Sequence, residues 1–337
     1  MIKLRQVWQA VGVRSLVRTM ATSVEPQING VPESVPEREF SDFTFNVPWG
    51  QIAGKWYGSR ESRPIVCIHG WQDNAGTFDT LIPQLPPEYS YLSLDLPGHG
   101  LSSRLPHGIF YSWLDISLSL RMLAEQEKWE KISLLGHSMS SLIGFTYTST
   151  FPDRVDLMIG IDALKPHVRP PEKYIPMIEK GFEAFYVANA RNLEASEPPS
   201  YTYDDLVERL YKGTNGSVTK EACPYLLKRA IAKSAKDPEK FFYTRDSRLK
   251  GFAFQSISQE VAIAMTKRIT CPYMFIKCTK SVYYEDKKYI DEIIECFQEN
   301  NPNFEYQTIE GKHHAHLNEP QKFKDILTAF IRKHRTP

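Results

Sequence analysis

Gly136-His137-Ser138-Met139-Ser140 joins a short apolar run, "ISLLG" (132–136), to a helical stretch, "SSLIGFTYTSTFP" (140–152). The first reads as a buried strand and the second as a helix stopped by Pro152, which places Ser138 on a sharp strand-to-helix corner. Such a corner forces the serine into a strained backbone conformation and lifts its hydroxyl clear of the sheet. It also needs small neighbours, because the start of the helix passes close to the end of the strand. Gly136 meets that need on one side. On the other stand Ser140 and Ser141, where the usual pattern has glycine at the first position, and they are among the smallest replacements. A serine hydroxyl alone is a poor nucleophile, so the chemistry also requires a base.

The nine histidines divide by position. His69, His99 and His137 sit in turns beside glycines, and His107, His167 and His334 fall in loops or the tail. That leaves His313, His314 and His316 in "EGKHHAHLNEP", just after the last expected strand. A base there, far downstream of the serine, fits the chain order nucleophile, acid, histidine. Three close histidines also raise a metal site, but no carboxylate or cysteine stands at ligand spacing beside them, and no metal or cofactor is expected.

The elements that must position these residues follow a regular rhythm. "EFSDFTFNVPWGQIAGKWYG" alternates apolar and polar residues about Pro48-Trp49-Gly50 and reads as a hairpin. "PIVCIHG" (64–70), "YSYLSLDLPGHG" (89–100), "ISLLG" and "VDLMIGID" (155–162) read as buried strands, with helical spacing over 111–128 and 140–152. Strand, helix and strand repeated in this way describe a mostly parallel sheet with helices on both faces. From Lys165 to about Thr270 the expected helices follow one another without strands, as in an inserted helical cap. The sheet then resumes with "CPYMFIKC" (271–278) and "FEYQTIEG" (304–311), and the chain closes on a helix. The expected division is a core of 37–165 and 269–337, a cap of 166–268, and an N-terminal extension of 1–36.

The chain has 337 residues, 42% of them hydrophobic, which is enough for a large core. Its net charge of +1 with dispersed basic residues argues against nucleic acid as a partner. No apolar run approaches the ~20 residues that cross a bilayer. Five scattered cysteines without a C-x-x-C pair fit reduced thiols in an intracellular compartment. The first 27 residues are basic and free of acids before Glu25, with apolar residues near helical spacing. That composition matches a mitochondrial transit peptide; the alternative is a surface helix or an upstream extension, with a second start at Met20 and a cytoplasmic protein.

Taken together, "IHGWQDNAGTFDTL", "LDLPGHGLSS", "LLGHSMSS", "FPDRV" and "EGKHHAHLNEP" resemble the α/β-hydrolase fold family, and within it the serine-hydrolase-like, or kraken-like, group. The resemblance spans residues 40–334 in order. It implies an α/β-hydrolase fold and a serine hydrolase, with His313 as the base. The same match puts the oxyanion-binding N–H groups on Trp71 and Met139. His314 and His316 then read as pocket or packing residues, and His69 and His137 either line the substrate pocket or pack and hydrogen-bond locally in their turns.

Most relatives carry their acid after the strand that here is "CPYMFIKC", but that place falls near Ser281. Glu285 comes later, where an acid is also favoured simply at a helix start. Some branches place the acid at the end of the earlier strand, which here is Asp162. A strand's C-terminal end in this fold faces the active-site crevice. Asp162 is favoured and Glu285 is the alternative. Asp73 and Asp95 read as structural. The expected activity is cleavage of a small, partly apolar carboxylic ester with water. Phe182, Phe185, Tyr186 and Phe242 in the cap serve either an apolar substrate or the packing of the cap itself. A catalytically weakened protein that only binds ligand is the rival reading. Monomer and homodimer both stay open.

Overall fold

The computed structural model describes residues 38–193, 196–251 and 256–337. The expected transit segment lies outside the described residues. Ten strands and nine helices follow in chain order among these: β1 (Phe40–Val47), β2 (Gly50–Tyr57), β3 (Ile65–Ile68), β4 (Tyr91–Leu94), α1 (Trp113–Gln126), β5 (Ile132–His137), α2 (Met139–Thr150) and β6 (Val155–Ile161). Next come α3 (Pro171–Leu193), α4 (Tyr203–Gly213), α5 (Cys223–Ala230), β7 (Ile231–Lys233), β8 (Phe241–Tyr243) and α6 (Gln259–Thr266). The chain ends with β9 (Tyr273–Cys278), α7 (Lys287–Asn300), β10 (Phe304–Ile309), α8 (Ala315–Asn318) and α9 (Gln321–His334).

Eight strands form one sheet in the order β1-β2-β4-β3-β5-β6-β9-β10. The β1–β2 hairpin turns at Pro48-Trp49, and β2 runs antiparallel to both of its neighbours, whereas every pairing from β4 to β10 is parallel. The central strands are apolar throughout because both faces are covered. Along β5, Leu134 packs with Ile116, Leu120 and Ile143 of α1 and α2, while Leu135 packs on the other face with Leu327 and Phe330 of α9. β9 divides in the same way, Phe275 to one face and Met274 and Ile276 to the other. This period-two division is what the uninterrupted runs of the sequence encode.

Between β6 and β9 the chain leaves the sheet. Its helices α3 to α5 were expected, but β7 and β8 also pair there as a short antiparallel hairpin. At three residues each they are too brief to show alternation. The expected cap boundary at 268 also falls late. Helix α6 packs on α2 and α7, Gln259 Nε2 donating to Tyr289 O at 3.0 Å, so it sits with the core. Two buried ion pairs fasten the inserted segment. Arg229 of α5 reaches Asp95 at 2.6 Å, and Arg248 grips Asp246 at 2.7 Å while donating to the carbonyl of Pro106 at 2.6 Å. Asp95 also accepts the N–H groups of Ala75 and Leu101 at 2.8 and 2.9 Å, which ties the loop after β4 to the loop after β3.

Candidate active site

The site lies at the C-terminal ends of β5 and β6 and in the loop after β10. Between β5 and α2 the chain turns so tightly that Ser138 takes φ 55° and ψ −120°. A side chain at position 136 would put its Cβ 2.6 Å from the carbonyl of Ser140, so glycine is required there. Ser140, by contrast, fits. It is fully buried, and its hydroxyl donates to the carbonyl of His69. Ser141 donates to the carbonyl of Gly136 at 2.8 Å. The two serines that depart from the glycine pattern thus bind the corner to the neighbouring strand end. The Ser138 N–H continues the sheet ladder by donating to Ile161 O at 2.9 Å.

One residue beyond β6, Asp162 also takes a left-handed conformation, φ 58°, which aspartate tolerates better than most residues. Its N–H donates to Ile276 O at 2.7 Å, so the sheet fixes its backbone. One carboxylate oxygen, Oδ1, accepts from Lys277 Nζ at 2.6 Å and from the Cys278 N–H at 2.9 Å. The other, Oδ2, lies 2.5 Å from His313 Nδ1, and His313 Nε2 lies 2.8 Å from Ser138 Oγ. Serine, imidazole and carboxylate are therefore in one hydrogen-bonded line, with the far nitrogen of the ring on the hydroxyl.

Burial alone would raise the Asp162 carboxyl, but its bond to His313 and the Lys277 ammonium outweigh this and hold it below the usual carboxylate range. Burial pulls His313 below its ordinary 6.5, against the pull of Asp162. A neutral ring ready to accept a proton, next to a carboxylate ready to stabilise the resulting cation, is an arrangement suited to drawing a proton from Ser138.

The alternative acid is engaged elsewhere. Glu285 is buried with Lys165, its oxygens 2.7 and 2.9 Å from Nζ, and it accepts the Val168 N–H at 2.8 Å. It makes no contact with His313. Met139 is the first residue of α2, whose N-terminal N–H groups lack intrahelical acceptors. The backbone before Trp71 passes beside the serine, since a Cβ on Gly70 would lie 3.2 Å from Ser138 Cβ. The Trp71 indole donates to Leu249 O at 2.9 Å, which connects this loop to the end of the inserted segment.

The expectation of pocket histidines needs correction. His69 and His137 are 0% exposed and His314 6%, and their nitrogens face protein groups. His69 Nε2 accepts the Leu96 N–H at 2.9 Å, His137 Nε2 bonds the carbonyl of His313 at 2.9 Å, and His314 Nδ1 meets Ser217 Oγ at 2.6 Å. They back the site from within: His69 and His137 stand at the ends of β3 and β5, and His314 is held inward at the start of α8. A carboxylate does stand beside His314, contrary to the sequence reading, and it is Asp73 at 3.2 Å, 241 residues away along the chain. Two contributors were missed. Lys277 carried one signal, a lysine inside an otherwise apolar strand. Tyr284, whose ring stands 5.7 Å from that of His313, carried none. Of the aromatic residues of the inserted segment, Phe185 stacks on Phe110 at 3.7 Å and Phe182 meets the same ring edge-on at 5.2 Å, while Tyr186 is exposed.

Comparison with known proteins gives this geometry a context. The model of the alpha/beta hydrolase fold family matches residues 63–320. A probable serine hydrolase of Drosophila melanogaster is 31% identical, over 96% of this chain and 98% of its own. The serine hydrolase-like protein 2 of Homo sapiens is 30% identical, over 86% of this chain and 94% of its own. Among solved structures, a hypothetical protein from Pseudomonas aeruginosa superposes with a TM-score of 0.71 at 24% identity, covering 87% of this chain and 98% of the other, and shares the fold. The chain belongs to the α/β-hydrolase fold family, in its serine-hydrolase-like group.

Proposed function

We propose that the protein is a serine hydrolase that cleaves a carboxylic ester, or a related acyl bond, through an acyl-enzyme. His313 Nε2 takes the proton of Ser138 as Oγ attacks the acyl carbon. The developing oxyanion is received by the backbone N–H groups of Met139 and Trp71, a device whose single donors are typically worth ~10²–10³ in rate. His313 then returns the proton to the departing alcohol oxygen. In the second half water loses a proton to His313 as it attacks the acyl carbon, and the imidazolium returns that proton to Ser138 Oγ as the bond to it breaks and the acid product leaves. Asp162 holds the ring and stabilises its cation. No step calls for a cofactor.

The observation that carries this reading is the continuous contact from Ser138 Oγ through both ring nitrogens to Asp162. A pimeloyl-[acyl-carrier protein] methyl ester esterase that is similar over 32% of this chain, and a thioesterase domain that shares the fold, lend support to acyl chemistry. The reading as a ligand binder without activity rested on Ser140 and on the missing acid after β9. Against it count the hydroxyl of Ser140, which is bonded to the carbonyl of His69, and the contact of Asp162 Oδ2 with His313 Nδ1. The test is turnover of p-nitrophenyl esters of graded chain length. Hydrolysis that falls by ~10⁴ or more in Ser138→Ala is expected; equal hydrolysis by both proteins rejects the proposal.

A further inference from the structure

Behind the serine and its base lies a second cluster, independent of the proposed reaction. Asp73 Oδ2 lies 3.5 Å from His137 Nδ1 and 3.2 Å from His314 Nε2, and the three atoms fall within 4.8 Å of one another. All three residues are buried, Asp73 at 7% exposure. They come from three loops: after β3, at the end of β5, and after β10.

The protons of this cluster do not close as a plain hydrogen-bond network. His137 Nε2 faces the carbonyl of His313 at 2.9 Å, so that nitrogen must carry the hydrogen. In the neutral ring Nδ1 is then a lone pair, buried completely and turned toward a carboxylate oxygen. Among the described residues it has no partner in hydrogen-bond geometry. Two acceptors facing one another at 3.5 Å call for a cation, either a proton on the ring or a metal between them.

Three features favour the metal. A tetrahedral ion with bonds of about 2.0–2.1 Å sets its ligand atoms about 3.4 Å apart; the two Asp73 contacts, 3.5 and 3.2 Å, stand near that spacing, and the two imidazole nitrogens, within 4.8 Å of each other, must draw together on the ion. Each histidine has its other nitrogen on an oxygen, His137 on the carbonyl of His313 and His314 on the hydroxyl of Ser217 at 2.6 Å. That second bond is how metal-binding imidazoles are ordinarily oriented. Finally, Gly70 leaves room: a Cβ there would lie 3.0 Å from both Asp73 Oδ2 and His137 Nδ1.

We propose that Asp73 Oδ2, His137 Nδ1 and His314 Nε2 form a buried site for a divalent transition ion of the zinc type, which clamps the three loops around the serine. Two imidazoles and a carboxylate suit zinc and disfavour calcium and magnesium, which prefer oxygen. The ion takes no part in the ester chemistry. Its role is to hold the loop of Trp71, the serine corner and the loop of His313 together.

The test uses the untagged full chain, stripped with EDTA, and zinc chloride as the probe. Calorimetry is expected to show one ion per chain, and free zinc at 100 times Kd is expected to raise Tm by about 5 °C. Asp73→Asn and His314→Gln should each weaken binding more than about 100-fold, and Ser217→Ala, which leaves the ligands in place, by about 10- to 100-fold. Should the ligand variants not fold, cobalt(II) in the wild type decides. The intense visible absorption of a four-coordinate ion, weakened in Ser217→Ala, supports the site. No binding at micromolar zinc overturns the proposal and leaves a His137 imidazolium paired with Asp73. Binding untouched by the variants overturns it as well, by placing the ion elsewhere.

Discussion

The ends of β6 and β9 each hold a buried carboxylate paired with a lysine, and the two pairs are reciprocal. Asp162, after β6, is bound by Lys277 of β9; Glu285, after β9, is bound by Lys165 of the segment after β6. The difference lies in what the second oxygen does. Lys165 takes both oxygens of Glu285, and the Val168 N–H adds to one of them. Lys277 and the Cys278 N–H share a single oxygen of Asp162 and leave the other to His313. Charge follows the same division. Burial raises the Glu285 carboxyl in spite of Lys165, whereas at Asp162 the imidazole and the ammonium outweigh burial and keep the carboxylate ionised. Two similar pairs thus differ in outcome: one closes the joint between segments, and the other leaves a charged oxygen on the ring of His313.

Substitutions can break this contrast at either pair. Asp162→Asn is expected to lower kcat by ~10⁴ on any ester the protein turns over, with little change in KM, since the amide no longer holds the productive ring tautomer. Glu285→Gln should leave kcat within a few-fold of wild type. Its effect falls instead on stability: urea unfolding should show a loss of about 3–5 kcal/mol, because Lys165 stays buried without its counter-charge. If the kinetic effects were exchanged, the acid would be Glu285.

Smaller effects sharpen the comparison. Lys277→Met removes a charge-assisted bond to Asp162 of about 1.5–3 kcal/mol, and kcat should fall about 10- to 100-fold while the ring contact survives. The smallest effect is a pH dependence. The Asp162 carboxyl is depressed in the folded state. Its contribution to stability is therefore complete above its unfolded value of about 3.9 and is lost as pH falls through the lower folded value. The gap in unfolding free energy between wild type and Asp162→Asn should narrow below about pH 4; a gap that widens there would contradict the depressed carboxyl.

Much of this architecture is legible along the chain because buried parallel strands write themselves as apolar runs. The corner at Ser138 and the order of the motifs could be read for the same reason, since they sit at fixed ends of those runs. Other features escape a one-dimensional reading. Helix α6 has a spacing that fits a cap as well as a core, and only its packing on α2 and α7 assigns it. His69, His137 and His314 are polar residues in turns, a pattern that does not tell which side of the loop faces a pocket. The meeting of Asp73 with His314 joins the loop after β3 to the loop after β10, 241 residues apart, which no local spacing records. The sequence leaves two candidates for the acid, and the feature that distinguishes them, the contact of Asp162 Oδ2 with His313, exists only in three dimensions.

The central claim is that the Ser138 hydroxyl is a nucleophile made reactive by His313. A fluorophosphonate tests it on the folded protein without knowledge of the substrate. A single covalent adduct is predicted, located by peptide mass analysis on Ser138, absent in Ser138→Ala and slowed ~10⁴-fold or more in His313→Ala. An unlabelled wild type of verified fold, or an adduct on another residue, would contradict it.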